Sequence, residues 1–150
     1  MQSNYTDYPL ALDGAMRTPH NTLVIDDFRT MSFPATTVRT LEAGTVAVYS
    51  QPWDEVWLDH DLEFALPQRE ERTYNIRPLI EQIVEDAESG VILPIGQFLI
   101  HSSNWGGRLF MKEKLSPFYP VKMVDAGDWT AYHVFPDWAR DIGWSNDDGN

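Results

Sequence analysis

Three short apolar runs in this chain end alike. Thr22-Leu23-Val24-Ile25 stops at Asp26-Asp27, Glu55-Val56-Trp57-Leu58 stops at Asp59-His60-Asp61, and Gln97-Phe98-Leu99-Ile100 stops at His101-Ser102-Ser103-Asn104. Runs this short and this apolar read as strands buried on both faces, the kind found in parallel sheets. Between them lie helical patterns. Ile76, Leu79, Ile80, Ile83, Val84 and Ala87 fall on one face of a helix over Asn75 to Ser89, with Asn75 as cap, Pro78 in the first turn and Gly90 to close it. Gly106-Gly107 opens a second helix that runs to Leu115. Leu41 to Gln51 leans helical, although Gly44, Thr45, Val46 and Val48 oppose it. Ala35 to Thr40, rich in β-branched residues, and Tyr119 to Val124 add two strands. Phe28 to Pro34 and Glu63 to Thr73 read as loops, and Pro52-Trp53-Asp54 as a turn. Strands alternating with helices predict an α/β fold on a mostly parallel sheet.

A chain of 150 residues suits one such domain. We expect a flexible, polar N-terminal arm over residues 1–20, an α/β body over 21–127, and an aromatic, acidic C-terminal extension over 128–150. The extension carries Trp129, Tyr132, Phe135, Trp138 and Trp144 and is expected to dock on the body or on a protein partner. Eleven basic residues against 23 acidic ones give a net charge of −12, which opposes binding to duplex DNA. No cysteine is present, so disulfides, thiol nucleophiles and cysteine zinc sites are excluded. No apolar run is long enough to span a bilayer, and the N-terminus lacks a signal-peptide pattern, so we expect a cytoplasmic protein without membrane association.

In an open parallel sheet, ligands bind beyond the carboxyl ends of the strands. The three polar clusters converge there if the strands are parallel. Asp26, Asp27 and Asp59 then bring like charges together, which favours a hard divalent ion such as Mg²⁺ or Mn²⁺. His60 and His101 are candidate proton carriers on opposite sides of a phosphate, and Asp59 and Asp61 complete the catalytic candidates. Arg29, Arg39 and Arg108 are candidate phosphate ligands, with Ser102, Ser103 and Asn104 as hydrogen-bonding neighbours. The backbone N–H groups of Gly106-Gly107 could also hold an anion. Each residue taken alone also has a structural role open to it, a cap, a packed histidine or a salt bridge. There is no GxxxxGK[ST], no GxGxxG and no nucleophile elbow, so an NTPase, a dinucleotide enzyme and a serine hydrolase are unsupported.

These segments resemble the cyclic-phosphate-processing receiver-like domain family, a derivative of the response-regulator receiver. The resemblance rests on Ile25-Asp26-Asp27-Phe28-Arg29, Val38-Arg39-Thr40, Trp57-Leu58-Asp59-His60-Asp61-Leu62, and Ile100-His101-Ser102-Ser103-Asn104 with Gly107, Arg108 and Met111. It spans roughly Thr22 to Asp125. It implies a five-stranded receiver/flavodoxin-like sheet flanked by helices, and an acidic pocket at Asp26, Asp27 and Asp59 where receivers bind Mg²⁺ and accept a phosphoryl group. The function implied is a metal-assisted phosphoesterase, a cyclic phosphodiesterase acting on a small cyclic nucleotide or an RNA-terminal 2′,3′-cyclic phosphate. A non-catalytic cyclic-nucleotide sensor or sequestering protein, and an acidic protein-interaction module, are the alternatives. Two features depart from the pattern. Glu63 to Thr73 is charged where the family has a short glycine-containing link. Lys122 lies early in the fifth strand, away from the strand end where receivers carry a lysine.

Overall fold

The computed structural model describes residues 21–27, 29–31, 34–62, 75–124 and 133–134. Its elements in chain order are β1 (Thr22–Ile25), β2 (Thr30–Met31), β3 (Thr36–Val38), α1 (Leu41–Val48), β4 (Trp53–Leu58), α2 (Arg77–Glu88), β5 (Ile95–Ile100), α3 (Trp105–Leu115), β6 (Val121–Met123) and β7 (His133–Val134). The expected N-terminal arm, the Glu63 to Thr73 loop and most of the aromatic extension lie outside the described residues. No helix among the described residues is long and apolar enough to cross a membrane.

Five strands form one sheet in the order β3-β1-β4-β5-β6, and every pairing is parallel. Counted by chain order within the sheet this is 2-1-3-4-5, the flavodoxin-like order, whose direction reverses between β1 and β4. The expected α/β architecture is therefore observed. The steps towards β6 carry α1, α2 and α3 on one face. There Leu23, Ile25, Val56, Leu58, Phe98 and Ile100 meet Val48, Leu79, Ile80, Ile83, Met111 and Leu115. The step from β1 to β3 runs the other way along the sheet, so a right-handed crossover must pass over the opposite face. No helix lies there among the described residues. A strap containing β2 crosses instead, and Met31 packs on Val24, Trp57 and Leu99. β7 pairs antiparallel with β2 in the strap, with Thr30 opposite Val134 and Met31 opposite His133.

Several boundaries differ from the sequence expectation. The anticipated turn at Pro52-Trp53-Asp54 gives way to β4 at Trp53, which pairs with Ile95 and donates its N–H to Pro94 O at 3.0 Å. Its indole Nε1 caps Ala47 O at 2.9 Å, near the end of α1. β2, a two-residue strand, falls within the expected Phe28 to Pro34 loop. Asn75 does not serve as the α2 N-cap, which is Ile76, although its Oδ1 accepts from Arg77 N at 2.9 Å. The helix over Leu41–Val48 forms despite its β-branched residues. Thr40 caps it by accepting from Ala43 N, and Gly44 lets it lie against Ile25, only 3.1 Å from where a Cβ would stand. Gly90, at φ +100°, ends α2 in the left-handed region that glycine tolerates.

Candidate metal centre at the carboxyl edge of the sheet

The register builds the site. Val38, Ile25, Leu58, Ile100 and Met123 are level across the five strands. The next residues therefore stand in a row beyond the last paired position: Arg39, Asp26, Asp59, His101 and Val124. Ladder hydrogen bonds fix four of them. Asp26 N donates to Val38 O at 3.1 Å, Asp59 N to Ile25 O at 3.0 Å, His101 N to Leu58 O at 3.0 Å, and Val124 N to Ile100 O at 2.9 Å.

Strand alternation then sorts the side chains. Val24, Trp57 and Leu99 face the strap, so Asp26, Asp59 and His101, two residues on, share that side. All three are buried. Asp26, Asp27 and Asp59 each offer a carboxylate oxygen, and these lie within 4.8 Å of one another. His101 Nε2 meets Asp26 Oδ2 at 2.9 Å, and the His101 ring rests against Trp57 with centroids 5.7 Å apart. The other oxygen, Asp26 Oδ1, accepts from Arg29 N at 2.7 Å, and the Arg29 guanidinium stands 3.6 Å from Oδ2. Arg39 Nη1 donates to Asp26 O at 3.1 Å and to Arg29 O at 2.5 Å, pinning the start of the strap.

These neighbours divide the carboxyls. Burial raises Asp26, but the hydrogen bond and charge of His101 together with Arg29 outweigh it and hold Asp26 below the ordinary carboxylate range. Burial pushes Asp59 well up, the charges of Asp26 and Asp27 push it further, and Arg29 opposes them only in part. Burial lowers His101, against the opposing pull of Asp26. With Asp26 held ionised, its Oδ2 accepts from Nε2–H of His101. Three clustered carboxylates with one forced towards its neutral form make a donor set that a hard divalent cation relieves. The residues fit such an ion, with Asp26, Asp27 and Asp59 as its oxygen ligands. His101 stands behind Asp26 and is itself committed to that carboxylate.

His60 lies elsewhere. It is two residues past Leu58 and shares that residue's side, under the helices. Its Nε2 accepts from Arg77 Nε at 2.9 Å, so the ring proton is on Nδ1, which donates to Asp61 Oδ1 at 2.6 Å. The ring lies so close to α3 that a Cβ at Gly107 would overlap it. Asn104 joins this knot. Its Oδ1 caps α3 by accepting from Gly107 N at 2.9 Å, and its Nδ2 donates to Asp61 Oδ1 at 3.3 Å. The structure thus gathers Asp26, Asp27, Asp59, His101, Arg29 and Arg39, and sets His60, Asp61 and Asn104 in a second cluster around Arg77. The Gly107 N–H considered for an anion is given to Asn104.

The remaining phosphate candidates are also placed. Buried Ser102 accepts from Asn104 N at 3.0 Å, and Ser103 is exposed. Arg108 is buried, and its Nη1 donates to Ser102 O at 3.1 Å and Val124 O at 3.0 Å. Sequence reasoning passed over Arg77, whose position in the first turn of a helix reads as an ordinary solvated charge. Its guanidinium also lies over the Phe110 ring, 4.2 Å from the centroid.

A family model, that of the cyclic-phosphate processing receiver domain, matches residues 21–117. The chain belongs to this family. The matched span runs from the start of β1 to the end of α3 and holds every acidic residue of the site. Searches of curated proteins and of solved structures each returned no match. The end of the fifth parallel strand carries Val124 in the row, and Lys122 sits two residues back, paired with Leu99. The strand end, where the resemblance to receivers leads one to expect a lysine, is apolar here.

Proposed function

We propose that this receiver domain is a metal-assisted phosphoesterase that opens a cyclic phosphate, with a 2′,3′-cyclic phosphate as the first substrate to test. The observation that carries this reading is the level row of Asp26, Asp59 and His101, with three carboxylate oxygens within 4.8 Å beside it. Hydrolysis adds water to phosphorus and breaks one ring P–O bond, leaving a monoester and a free hydroxyl. A divalent ion at Asp26, Asp27 and Asp59 would supply charge stabilisation at a phosphoryl oxygen. His101 holds Asp26 in place, and Arg29 places a cation beside the cluster for the phosphate. Proton handling falls to Asp59. His60 has both ring nitrogens engaged and serves the scaffold. Val124 at the receiver lysine position argues against simple phosphoryl acceptance at Asp59.

The full burial of Asp26 and His101 favours a second reading, in which the site holds a cation and a cyclic phosphate without cleaving it. Phosphorus NMR separates the two. The protein is incubated with a 2′,3′-cyclic mononucleotide in Mg²⁺, in Mn²⁺ and in EDTA, beside Asp59→Ala and His101→Ala proteins. A monoester signal that needs the cation and is lost in both variants is the expected result. A shifted or broadened signal without conversion selects the binding module. An unchanged signal overturns both.

A further inference from the structure

The described tryptophans divide sharply. Trp53 and Trp57 are in the core, whereas Trp105 is 63% exposed. Exposed aromatic area of this size is lost hydrophobic stabilisation unless something covers it. The other large exposed apolar side chains among the described residues are Val46 on α1 and Val91 and Ile92 after α2, before the amino end of β5. Trp105 is at the opposite end of the sheet. It opens α3 directly after the His101–Asn104 segment. Its ring is backed on one side by Arg108, whose Cζ is 5.6 Å from the ring centroid. That guanidinium is fixed by the carbonyls of Ser102 and Val124, the residue after His101 and the residue level with it. The indole therefore rests on a rigid support at the edge of the acidic row. Four residues of chain limit its Cα to about 14 Å from that of His101.

We propose that Trp105 is the platform on which the base of a nucleotide ligand stacks while its cyclic phosphate reaches the acidic row. This rests on the phosphoesterase reading and narrows its substrate to base-bearing cyclic phosphates. Charge supports it. A chain of net charge −12 gives an anionic ligand no long-range attraction, so apolar contact is needed to add to what the cation and Arg29 supply locally. Stacking is sequence-tolerant, because every base has a π-face, and its usual strength corresponds to roughly 5- to 150-fold in affinity. The platform accordingly selects for a base without selecting among bases.

The test is calorimetric titration, in Mg²⁺, of adenosine 2′,3′-cyclic phosphate and of methyl riboside 2′,3′-cyclic phosphate, which lacks the base. Wild type, Trp105→Phe and Trp105→Ala are compared. We expect wild type to bind the adenosine compound about tenfold more tightly, Trp105→Phe to keep most of that preference, and Trp105→Ala to bind both alike. Equal binding of the two compounds by wild type, or a preference that survives in Trp105→Ala, overturns the platform and leaves the phosphoesterase reading standing. Binding of neither compound by any of the three overturns both together.

Discussion

His101 follows β5 and His60 follows β4 by two residues, and both end an apolar run beside other polar side chains. Their surroundings are opposite. His101 is on the strap side, against Trp57, with Nε2 on Asp26 and with Asp26 and Asp59 in its row. His60 is on the helical side, between Arg77 and Asp61, with Gly107 pressed against its ring. One step of strand alternation separates them. The lesson is that a histidine's side of the sheet decides its role here. The strap side, where no described helix covers the sheet, gathers Asp26, Asp59 and His101. The helical side uses a histidine as a polar wedge between β4, α2 and α3.

Exchanging each histidine breaks this comparison most directly. His101→Gln disturbs the residue that orients a cation ligand, and such changes typically cost about 10–100-fold in metal affinity or activity. We expect that loss in both cation affinity and turnover of the cyclic phosphate, measured by calorimetry and phosphorus NMR. His60→Gln should leave cation affinity within about twofold and instead lower stability by about 1–3 kcal/mol, because Arg77 and Asp61 lose a buried partner. Equal effects of the two substitutions on cation affinity would erase the distinction.

Cation removal should come next in size. At a free cation concentration of about 100 times Kd, binding stabilises the fold by about 2.7 kcal/mol. For a chain of this length that is a rise in Tm of roughly 5–11 °C. Asp27→Ala should abolish the rise, and His60→Gln should retain it. Thermal melts in EDTA and in Mn²⁺ check both.

On the helical side, Gly107→Ala inserts a methyl group where the His60 ring lies. Overpacking of this kind costs about 1–3 kcal/mol. In a His60→Ala background the ring is gone, and the same change should be neutral or stabilising, since alanine exceeds glycine in helix propensity by about 1 kcal/mol. A double-mutant cycle by urea denaturation measures the difference. Additive effects would show that Gly107 is required for some reason other than the histidine.

The acidic row was legible in the sequence because each strand was an uninterrupted apolar run with a sharp polar end. Parallel pairing then had only to align the ends. The parity that separates His60 from His101 was equally present, since His60 and Leu58 are two apart, as are His101 and Leu99. Convergence at one edge does not by itself fix which side of the sheet each residue takes. Other features depend on partners remote in sequence. β2 is two residues long and pairs with His133–Val134, about a hundred residues away, so no local pattern marks it. Trp53 carries turn-like neighbours and becomes strand only through Ile95. Arg77 has no local feature that announces a bond to a ring 17 residues earlier. Gly44 argued against a helix by propensity, whereas close approach to Ile25 was the reason for it.

The smallest effect, and the one that tests the electrostatics of the row itself, is on the cation-free protein. Asp59 is raised by burial and by the charges of Asp26 and Asp27, so the folded chain binds its proton more tightly than the unfolded chain does. Stability must then fall as pH rises from the ordinary carboxylate range towards the folded value of Asp59. Asp26 has the opposite sign. Its depressed folded value contributes stability above the ordinary carboxylate range, which is lost as pH falls through it. Asp59→Asn removes the first slope and leaves the second. In EDTA, at a pH above the folded value of Asp59, the variant should be more stable than wild type by about 0.5–2 kcal/mol, the usual gain from correcting unfavourable charge. Near pH 4 the two should converge. Adding Mg²⁺ reverses the order, because wild type gains a ligand-linked stabilisation that the variant has lost. A variant less stable than wild type in EDTA across this range would show that the Asp59 charge is already compensated within the protein. The case for a cation at the row would then lose its electrostatic ground.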